Sequence, residues 1–223
     1  MPTAVTVMDR SSFGANTDVI VVVDPLATRL LWVPRDIWCP EISNRINRAY
    51  AYGGHSGLAR SLAGLGIAVE HGICLLPEAI AAGFAGATIT MPVSEEMEFW
   101  YPLEPQRPIE EGRKRIGFRP PIERLEGERI HQWIGARTEV DGGGSDVRRI
   151  RRQQGLTAVL LGDRFDFRRF LAPPDAVRIS SDAALDELRS VRPGWVFETL
   201  EDLSEAEIDG KLVLLPVEEP PGR

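Results

Sequence analysis

The 223 residues of this chain suffice for one sizeable domain or two small ones, and 43% hydrophobic with 26% charged residues is ordinary for a soluble globular protein. The formal net charge of −7 argues against broad nucleic-acid binding, because proteins that bind phosphate backbones usually carry net positive charge. Cys39 and Cys74 could pair, but two cysteines are too few for a disulfide framework and lack the spacing of a zinc site.

The first part of the chain predicts three strands with polar residues at their ends. Residues 3–8 alternate as in a strand, and the five consecutive β-branched residues 19–23 indicate a strand buried on both faces, as in an α/β sheet. Residues 29–33 predict a further strand, joined to the preceding one as a hairpin. Asp9, Asp18 and Arg35 therefore lie at strand ends, where polar groups can converge. Taken singly, each is explained equally well as a turn-forming aspartate or a surface arginine.

The middle of the chain predicts short helices and strands. A turn of helix over 46–54 ends on paired glycines, and a helical segment follows over 57–65. We then predict strands over 67–69, 72–76 and 87–93, with a helix over 77–83. The next fifteen or so residues are proline-rich and contain Trp100 and Tyr101, which predicts a loop that could fold over a ligand. A helix over 126–137 follows and has Arg137 at its end.

Residues 146–154 contain four arginines directly after a Gly-Gly-Gly-Ser loop, and they are the most distinctive stretch of the chain. Asp146 is placed to cap a helix there, with Arg149 and Gln153 on its face and Arg148 and Arg152 on an adjacent stripe. A phosphate at this helix start would meet backbone donors, the positive end of the helix dipole and arginine forks. The alternative is a solvated basic helix. Four arginines without a lysine and the glycine hinge favour anion binding.

The positive charge is concentrated in one region, since residues 107–152 contain twelve basic and eight acidic residues. This predicts a cationic patch with a local anionic ligand.

Further on we predict a buried helix beginning over 157–161, a helix over 181–190, a strand over 195–199, a short helix over 204–208 and a strand over 212–217. No linker divides the chain, so one α/β domain is the simpler interpretation. The phosphate-binding GxxxxGK[ST], GxSxG and HExxH motifs are all missing, and no two histidines have metal-ligand spacing.

Several segments, in the same order, resemble the LytR-CpsA-Psr family. They are Thr17-Asp18-Val-Ile-Val-Val, Pro34-Arg35-Asp36, Ile46-Asn47-Arg-Ala49-Tyr50-Ala-Tyr-Gly53-Gly54, Gly86-Ala-Thr-Ile-Thr-Met-Pro92 and Asp146-Val-Arg-Arg149-Ile-Arg-Arg152-Gln153-Gln154. The resemblance covers residues 5–165, and residues 174–223 diverge. It implies an α/β fold for the single domain 1–223, built as a three-layer α/β/α sandwich around a mixed central sheet.

The resemblance also implies a function and a site. The family binds a polyprenyl pyrophosphate in a hydrophobic pocket and transfers its glycopolymer, as a phosphate ester, onto peptidoglycan in the bacterial cell envelope. By position, Asp9 and Asp18 resemble the acidic pair beside Mg²⁺, and either is a candidate base. Arg35, Arg137 and Arg149 resemble the pyrophosphate clamp, with Asp146 and Gln153 in supporting contacts; the catalytic set is then Asp9, Asp18, Arg35 and Arg149. The apolar stretch 58–84 would line the lipid pocket.

This sequence departs from the family pattern at the clamp. Gly135 stands where the family has the first arginine of an Arg-x-Arg pair, and Arg148 is a candidate to replace it. The family is tethered by an N-terminal membrane helix, whereas we identify no signal peptide and no uncharged run of 18 apolar residues. We therefore expect an excised extracytoplasmic domain or a divergent soluble member that meets the membrane through its substrate.

Three functions remain open at this point. The first is a Mg²⁺-dependent glycopolymer phosphotransferase, with pyrophosphatase activity as a possible side reaction. The second is a non-catalytic binder of lipid pyrophosphate, which the absent arginine motivates. The third is a regulatory nucleic-acid binder using the arginine helix, which the acidic net charge disfavours, so we expect no nucleic-acid partner.

Overall fold

A computed structural model describes residues 1–9, 16–105, 107–142, 146–162, 167–201 and 203–217. In these ranges the strands are β1 Thr3–Met8, β2 Thr17–Asp24, β3 Arg29–Trp32, β4 Trp38–Cys39, β5 Asn44–Arg45, β6 His71–Leu75, β7 Thr88–Pro92, β8 Met97–Pro102, β9 Arg113–Phe118, β10 Ile122–Glu126, β11 Thr138–Glu139, β12 Val177–Ile179, β13 Val196–Thr199, β14 Leu203–Ile208 and β15 Lys211–Pro216. The α-helices are α1 Ala49–Ala63, α2 Pro77–Gly83, α3 Glu128–Gly135, α4 Asp146–Gly162 and α5 Asp182–Ser190.

A mixed six-stranded sheet forms the centre of the domain, with the strand order β12-β6-β1-β2-β3-β13. β1, β2 and β3 form an antiparallel meander, which includes the predicted hairpin between β2 and β3. β6 pairs with β1 and β13 pairs with β3 in parallel, while β12 is antiparallel to β6. The predicted mixed central sheet is confirmed.

Both faces of this sheet are covered, which gives three layers. Successive side chains on a strand point to opposite faces, so each strand supplies both sides. On one face, Ala4 and Ile20 pack with Leu58 and Leu62 of α1 and with the β14–β15 hairpin. On the other face, the sheet packs against α2, α4 and α5. The predicted α/β/α sandwich is confirmed as a single α/β domain.

Residues 97–102 form a strand, so the loop predicted there was wrong. β8 pairs with β9 along its whole length and with β11 on its other side. Three consecutive aromatic residues, Phe99 to Tyr101, favour a strand, and apart from Pro102 at the strand end the prolines of this segment fall after it. The loop therefore begins only after Pro102, and in its described part Ile109–Glu111 form a 3-10 helix before β9.

Two further predictions near the C-terminus were wrong. Residues 204–208 belong to β14 rather than to a helix, and β14 pairs with β15 across Asp209 and Gly210. Both turn residues have positive φ, as expected for the Asp-Gly hairpin turn that the sequence displays. Residues 157–161 do not begin a new helix, because α4 continues through Gly155 to Gly162. The hydroxyl of Thr157 donates to the Gln153 carbonyl at 3.0 Å within this helix.

Smaller differences concern residues 67–69, Ser181 and the cysteines. Residues 67–69 lie outside the strands, and only β6 forms in that region. Ser181 precedes α5 as predicted, but its hydroxyl contacts His71 Nδ1 at 3.0 Å instead of capping the helix. Cys39 and Cys74 are buried free thiols. Among the helices described, none is long and apolar enough to cross a membrane.

Candidate active site

Two aspartates and one arginine meet at one edge of the central sheet. Asp9 directly follows β1 and Asp18 lies near the start of β2, so the antiparallel pairing of these strands brings both carboxylates to the same edge. Arg35 follows β3 and reaches both aspartates. Its Nη1 lies 3.8 Å from Asp9 Oδ2 and donates a hydrogen bond to Asp18 Oδ1. The predicted convergence of these three residues is confirmed.

Two helices bring more arginines to this edge. Arg149 of α4 is only 1% exposed, and its Nη1 lies 3.5 Å from Asp18 Oδ1. Arg137 follows α3 and lies 2.9 Å from Asp36, which also pairs with Arg45 at 3.3 Å. Asp36 and Arg45 were not predicted as site residues. The position of Asp36 directly after Arg35 is the signal that could have identified it.

These side chains form an ionic cluster with excess positive charge. Burial raises the pKa of Asp18, and the charge of Asp9 adds to that shift, while the neighbouring arginines oppose it. A cluster of this composition favours an anionic ligand over a cationic one. The ionic cluster comprises four arginines and three aspartates: Asp9, Asp18, Arg35, Asp36, Arg45, Arg137 and Arg149.

The ionic cluster lines one of two adjoining cavities that differ in character. The charged cavity has a volume of about 320 Å³ and includes Asp18, Arg35 and Arg149 in its lining. The apolar cavity has a volume of about 170 Å³ and lies between the sheet and the helices α2, α4 and α5. Val7, Ile80 and Ile134 line both cavities, so a charged space and an apolar space share one wall.

The fold is shared with solved structures, although no family profile and no curated protein matches the sequence. Protein gbs0355 from Streptococcus agalactiae has a TM-score of 0.68 at 15% identity, over 97% of this chain and 82% of that one. TagT bound to LIIa-WTA has a TM-score of 0.65 at 14% identity, over 96% and 84%. TagV of B. subtilis has a TM-score of 0.62 at 14% identity, over 97% and 90%. TagT and TagV are LytR-CpsA-Psr proteins. The chain has the LytR-CpsA-Psr fold.

Within this LytR-CpsA-Psr fold, Arg148 does not replace the absent clamp arginine. Its Nη1 pairs with both carboxylate oxygens of Glu139, at 2.9 and 2.8 Å, and its side chain is 62% exposed. It lines a separate groove that does not include the ionic cluster. Arg148 and Arg149 are about 100° apart around α4, and Arg148 points toward Glu139 whereas Arg149 points toward Asp18. The candidate replacement was therefore wrong.

Gln153 and Asp146 were predicted to make supporting contacts to the pyrophosphate, and the structure describes the side chain of Gln153 only. Gln153 is 5% exposed and lines the apolar cavity, where its Nε2 donates to the Ile134 carbonyl at 3.1 Å. Gln153 thus supports the end of α3 and is absent from the lining of the charged cavity. The helix begins at Asp146 as predicted, but the side chain of Asp146 lies outside the described part of the chain.

Arg152 joins α4 to the C-terminal end of α3, and sequence reasoning missed this role. It is 7% exposed and donates to the carbonyls of Trp133, at 3.2 Å, and Ala136. The indole N–H of Trp133 returns a hydrogen bond to the Arg152 carbonyl at 3.1 Å. Burial, with a contribution from the charge of Arg149, lowers the pKa of Arg152 to about 10. We call these contacts, together with that of Gln153, the α3–α4 joint.

The predicted lipid walls were only partly right. Leu58 and Leu62 belong to α1, which covers the opposite face of the sheet, so they cannot contact the apolar cavity. From the stretch 58–84, only Leu75, Ile80 and Phe84 line this cavity. Most of its lining comes instead from the sheet, from α4 and from residues 170–191.

The donor set near Asp18 fits Mg²⁺ only in combination with a substrate. Among the residues described, no three His, Cys, Asp or Glu side chains come together as a metal site. Asp9 and Asp18 nevertheless supply two carboxylates beside one guanidinium. Mg²⁺ is often held by one or two carboxylates plus substrate phosphates, so this pair suits a cation that arrives with a phosphorylated ligand.

Proposed function

We propose that this protein is a transferase that moves a glycopolymer, as a phosphate ester, from a polyprenyl pyrophosphate carrier onto peptidoglycan. The observation that carries the proposal is the shared wall at Val7, Ile80 and Ile134 between a charged cavity and an apolar one. A ligand with a doubly charged head directly attached to a hydrocarbon tail matches this arrangement. A free sugar phosphate would occupy only the charged cavity, and a fatty chain would occupy only the apolar cavity.

The arginines of the ionic cluster suit the pyrophosphate head. Planar guanidinium groups bind phosphate oxygens in pairs, which fixes orientation as well as charge. Arg149 is held in place by burial and Arg35 by its contacts with both aspartates. In this proposal Arg35, Arg137 and Arg149 bind the pyrophosphate, while each methylene of the tail that enters the apolar cavity adds about 0.8 kcal/mol of affinity.

Asp9, together with the oxygens of the bound pyrophosphate, would hold Mg²⁺, and Asp18 would stand beside the ion without ligating it. The ion would neutralise charge on the leaving phosphate. Asp18 is also our candidate for accepting the proton of the attacking hydroxyl, because its raised pKa makes it a better base than an ordinary aspartate. Arg35 and Arg149 orient its carboxylate for that role.

The glycopolymer, the acceptor and the cellular site are inferred from the shared fold. TagT is bound to LIIa-WTA, and TagT, TagU and TagV are wall teichoic acid attachment enzymes. By analogy, this protein would act in the cell envelope, close to the membrane that carries its lipid substrate. Identities of 13–18% leave the particular polymer open.

The test combines ligand extraction with an activity assay. Organic extracts of freshly purified protein, analysed by mass spectrometry, should contain polyprenyl phosphate or pyrophosphate. The protein should transfer the saccharide of a synthetic farnesyl-pyrophosphate-linked disaccharide to peptidoglycan glycan strands, and EDTA should abolish transfer. Tight binding of farnesyl pyrophosphate without transfer would leave a non-catalytic binder. Equal activity with and without EDTA would refute the Mg²⁺ requirement.

A further inference from the structure

Gly135 is the last residue of α3 and lines the charged cavity. A Cβ atom built at this position would stand 4.0 Å from Asp18 Oδ2, and no other atom lies within 4 Å of it among the described residues outside its immediate chain surroundings. The backbone of Gly135 is helical and has no left-handed φ, so other amino acids could adopt it. The glycine is therefore not required by the backbone, and its effect is to leave space in front of Asp18.

The carboxylate of Asp18 is oriented with one oxygen toward this space. Arg35 and Arg149 both contact Oδ1. Oδ2 is the atom that faces Gly135, and the side-chain hydrogen bonds that Asp18 accepts within the described ranges both go to Oδ1. Asp18 thus has one oxygen fixed by two guanidinium groups and one oxygen directed into the cavity.

We propose that the space between Gly135 and Asp18 Oδ2 admits the acceptor hydroxyl, and that Gly135 determines which acceptors can react. This inference rests on the proposed transferase function. In the step considered, the acceptor oxygen forms a bond to the phosphorus next to the glycopolymer, and its proton passes to Asp18 Oδ2. The bond from that phosphorus to the bridging oxygen breaks, and polyprenyl phosphate leaves with the bridging oxygen.

Three groups besides Asp18 surround the proposed entrance. His131 lies one helical turn before Gly135, so it borders the same side of the cavity. Arg137 and Thr138 follow α3 and line the cavity as well. They provide polar edges for a carbohydrate, while a side chain at position 135 would occupy the space nearest the base. The size of residue 135 should therefore affect the acceptor more than the donor.

The experiment compares Gly135→Ala, Gly135→Val and Gly135→Arg with the wild type. Gly162→Ala is the matched control, because Gly162 is also the last residue of a helix and a Cβ there meets no atom of the described residues within 4 Å. Transfer from the farnesyl-pyrophosphate-linked disaccharide to glycan strands is measured beside hydrolysis of the same donor by water. Binding of farnesyl pyrophosphate and thermal unfolding are measured for every variant.

We expect transfer to fall a few-fold in Gly135→Ala and about 100-fold in Gly135→Val, the scale of a misplaced reactant. Hydrolysis should fall less, because water is smaller than a sugar hydroxyl. In Gly135→Ala and Gly135→Val, the affinity for farnesyl pyrophosphate should stay within about threefold of the wild-type value, since in this proposal position 135 lies on the acceptor side. Gly135→Arg should bind farnesyl pyrophosphate more tightly through its added charge but should still transfer poorly.

The outcomes separate this inference from the function on which it rests. No transfer by the wild type would overturn both. Transfer by the wild type that is unchanged in folded Gly135→Ala and Gly135→Val would overturn the inference alone. An equal loss of transfer and hydrolysis would also overturn it, because that result indicates a damaged site. Faster transfer by Gly135→Arg would show that position 135 serves the pyrophosphate instead.

Discussion

The two faces of the central sheet are built from the same strands but differ in how well they are filled. On the face covered by α1, the side chains of β1 and β2 are nearly inaccessible: Ala4 is 2% exposed and Ile20 is 0% exposed. On the face toward α4, Val5 and Val21 are only half-buried and border the apolar cavity. Neighbouring residues on one strand therefore have different roles, because they point to opposite faces of the sheet. The α1 face gives the sheet its rigidity, and the α4 face leaves room for a ligand.

The largest effect should be on the free energy of unfolding, when one leucine on each face of the sheet is replaced by alanine. Leu62→Ala, in the closed core under α1, should lower the free energy of unfolding by about 2–5 kcal/mol. Leu160→Ala should cost less, because one side of Leu160 already faces the apolar cavity. Urea denaturation of both variants measures the difference. Equal losses would mean that the two faces are equally well packed.

A second pair compares the inner and outer sides of α4. Arg149→Ala should weaken farnesyl pyrophosphate binding by about 1.5–3 kcal/mol, because it removes a charged double contact. Arg149→Lys should also bind poorly, since an ammonium lacks the planar fork. Arg151→Ala is the control, because Arg151 is exposed on the groove side. Titration calorimetry should show a loss at Arg149 only. A matching loss at Arg151 would indicate nonspecific electrostatics.

Filling the open face should weaken lipid binding more than the binding of the head group. Val21→Phe places a larger side chain in the apolar cavity and should displace about two methylene groups of the tail, for a loss of about 1–2 kcal/mol. Inorganic pyrophosphate, which lacks the tail, should bind with unchanged affinity. Comparing the two ligands by titration tests this. An equal loss for both would place the tail elsewhere.

The smallest effect concerns the charge on Asp18. Because burial raises its pKa in the folded state, folded protein binds this proton more tightly than unfolded protein. The wild type should therefore lose stability relative to Asp18→Asn as pH rises from the ordinary aspartate pKa of 3.8 through the raised value. The difference should stay constant at higher pH. Thermal unfolding of both proteins across this range measures it, and a wild type that gains stability relative to Asp18→Asn as pH rises would contradict the shift.

The pattern of the first three strands could be predicted because each carries its own signal. The β-branched run of β2 and the polar residues beside it also located Asp9, Asp18 and Arg35 at one edge of the sheet. The strands that the sequence did not predict form because they pair with neighbouring strands. β8 needs β9 as its partner, and β14 is a strand because the Asp209-Gly210 turn folds it against β15.

The direction of a site residue was predictable where its position on one helix face determines it. It was less predictable where contacts with other elements determine it. Arg149 points inward as the spacing in α4 implied, but Arg148 pairs with Glu139 of β11, and the position of that strand depends on its pairing with β8. The apolar cavity was assigned to the wrong stretch, because composition does not reveal which face of the sheet α1 covers. The roles of the site residues in binding and catalysis stay predictions.

The α3–α4 joint has a consequence for how substitutions combine. Arg152 and Gln153 hold three carbonyls at the end of α3, and Trp133 holds a carbonyl of α4 in return. Gly135 and Arg149 are therefore carried on two helices that are joined to each other, and Asp18 lies on the sheet. A shift of one helix should be passed to the other. Substitutions at Gly135 and Arg149 should accordingly be energetically coupled.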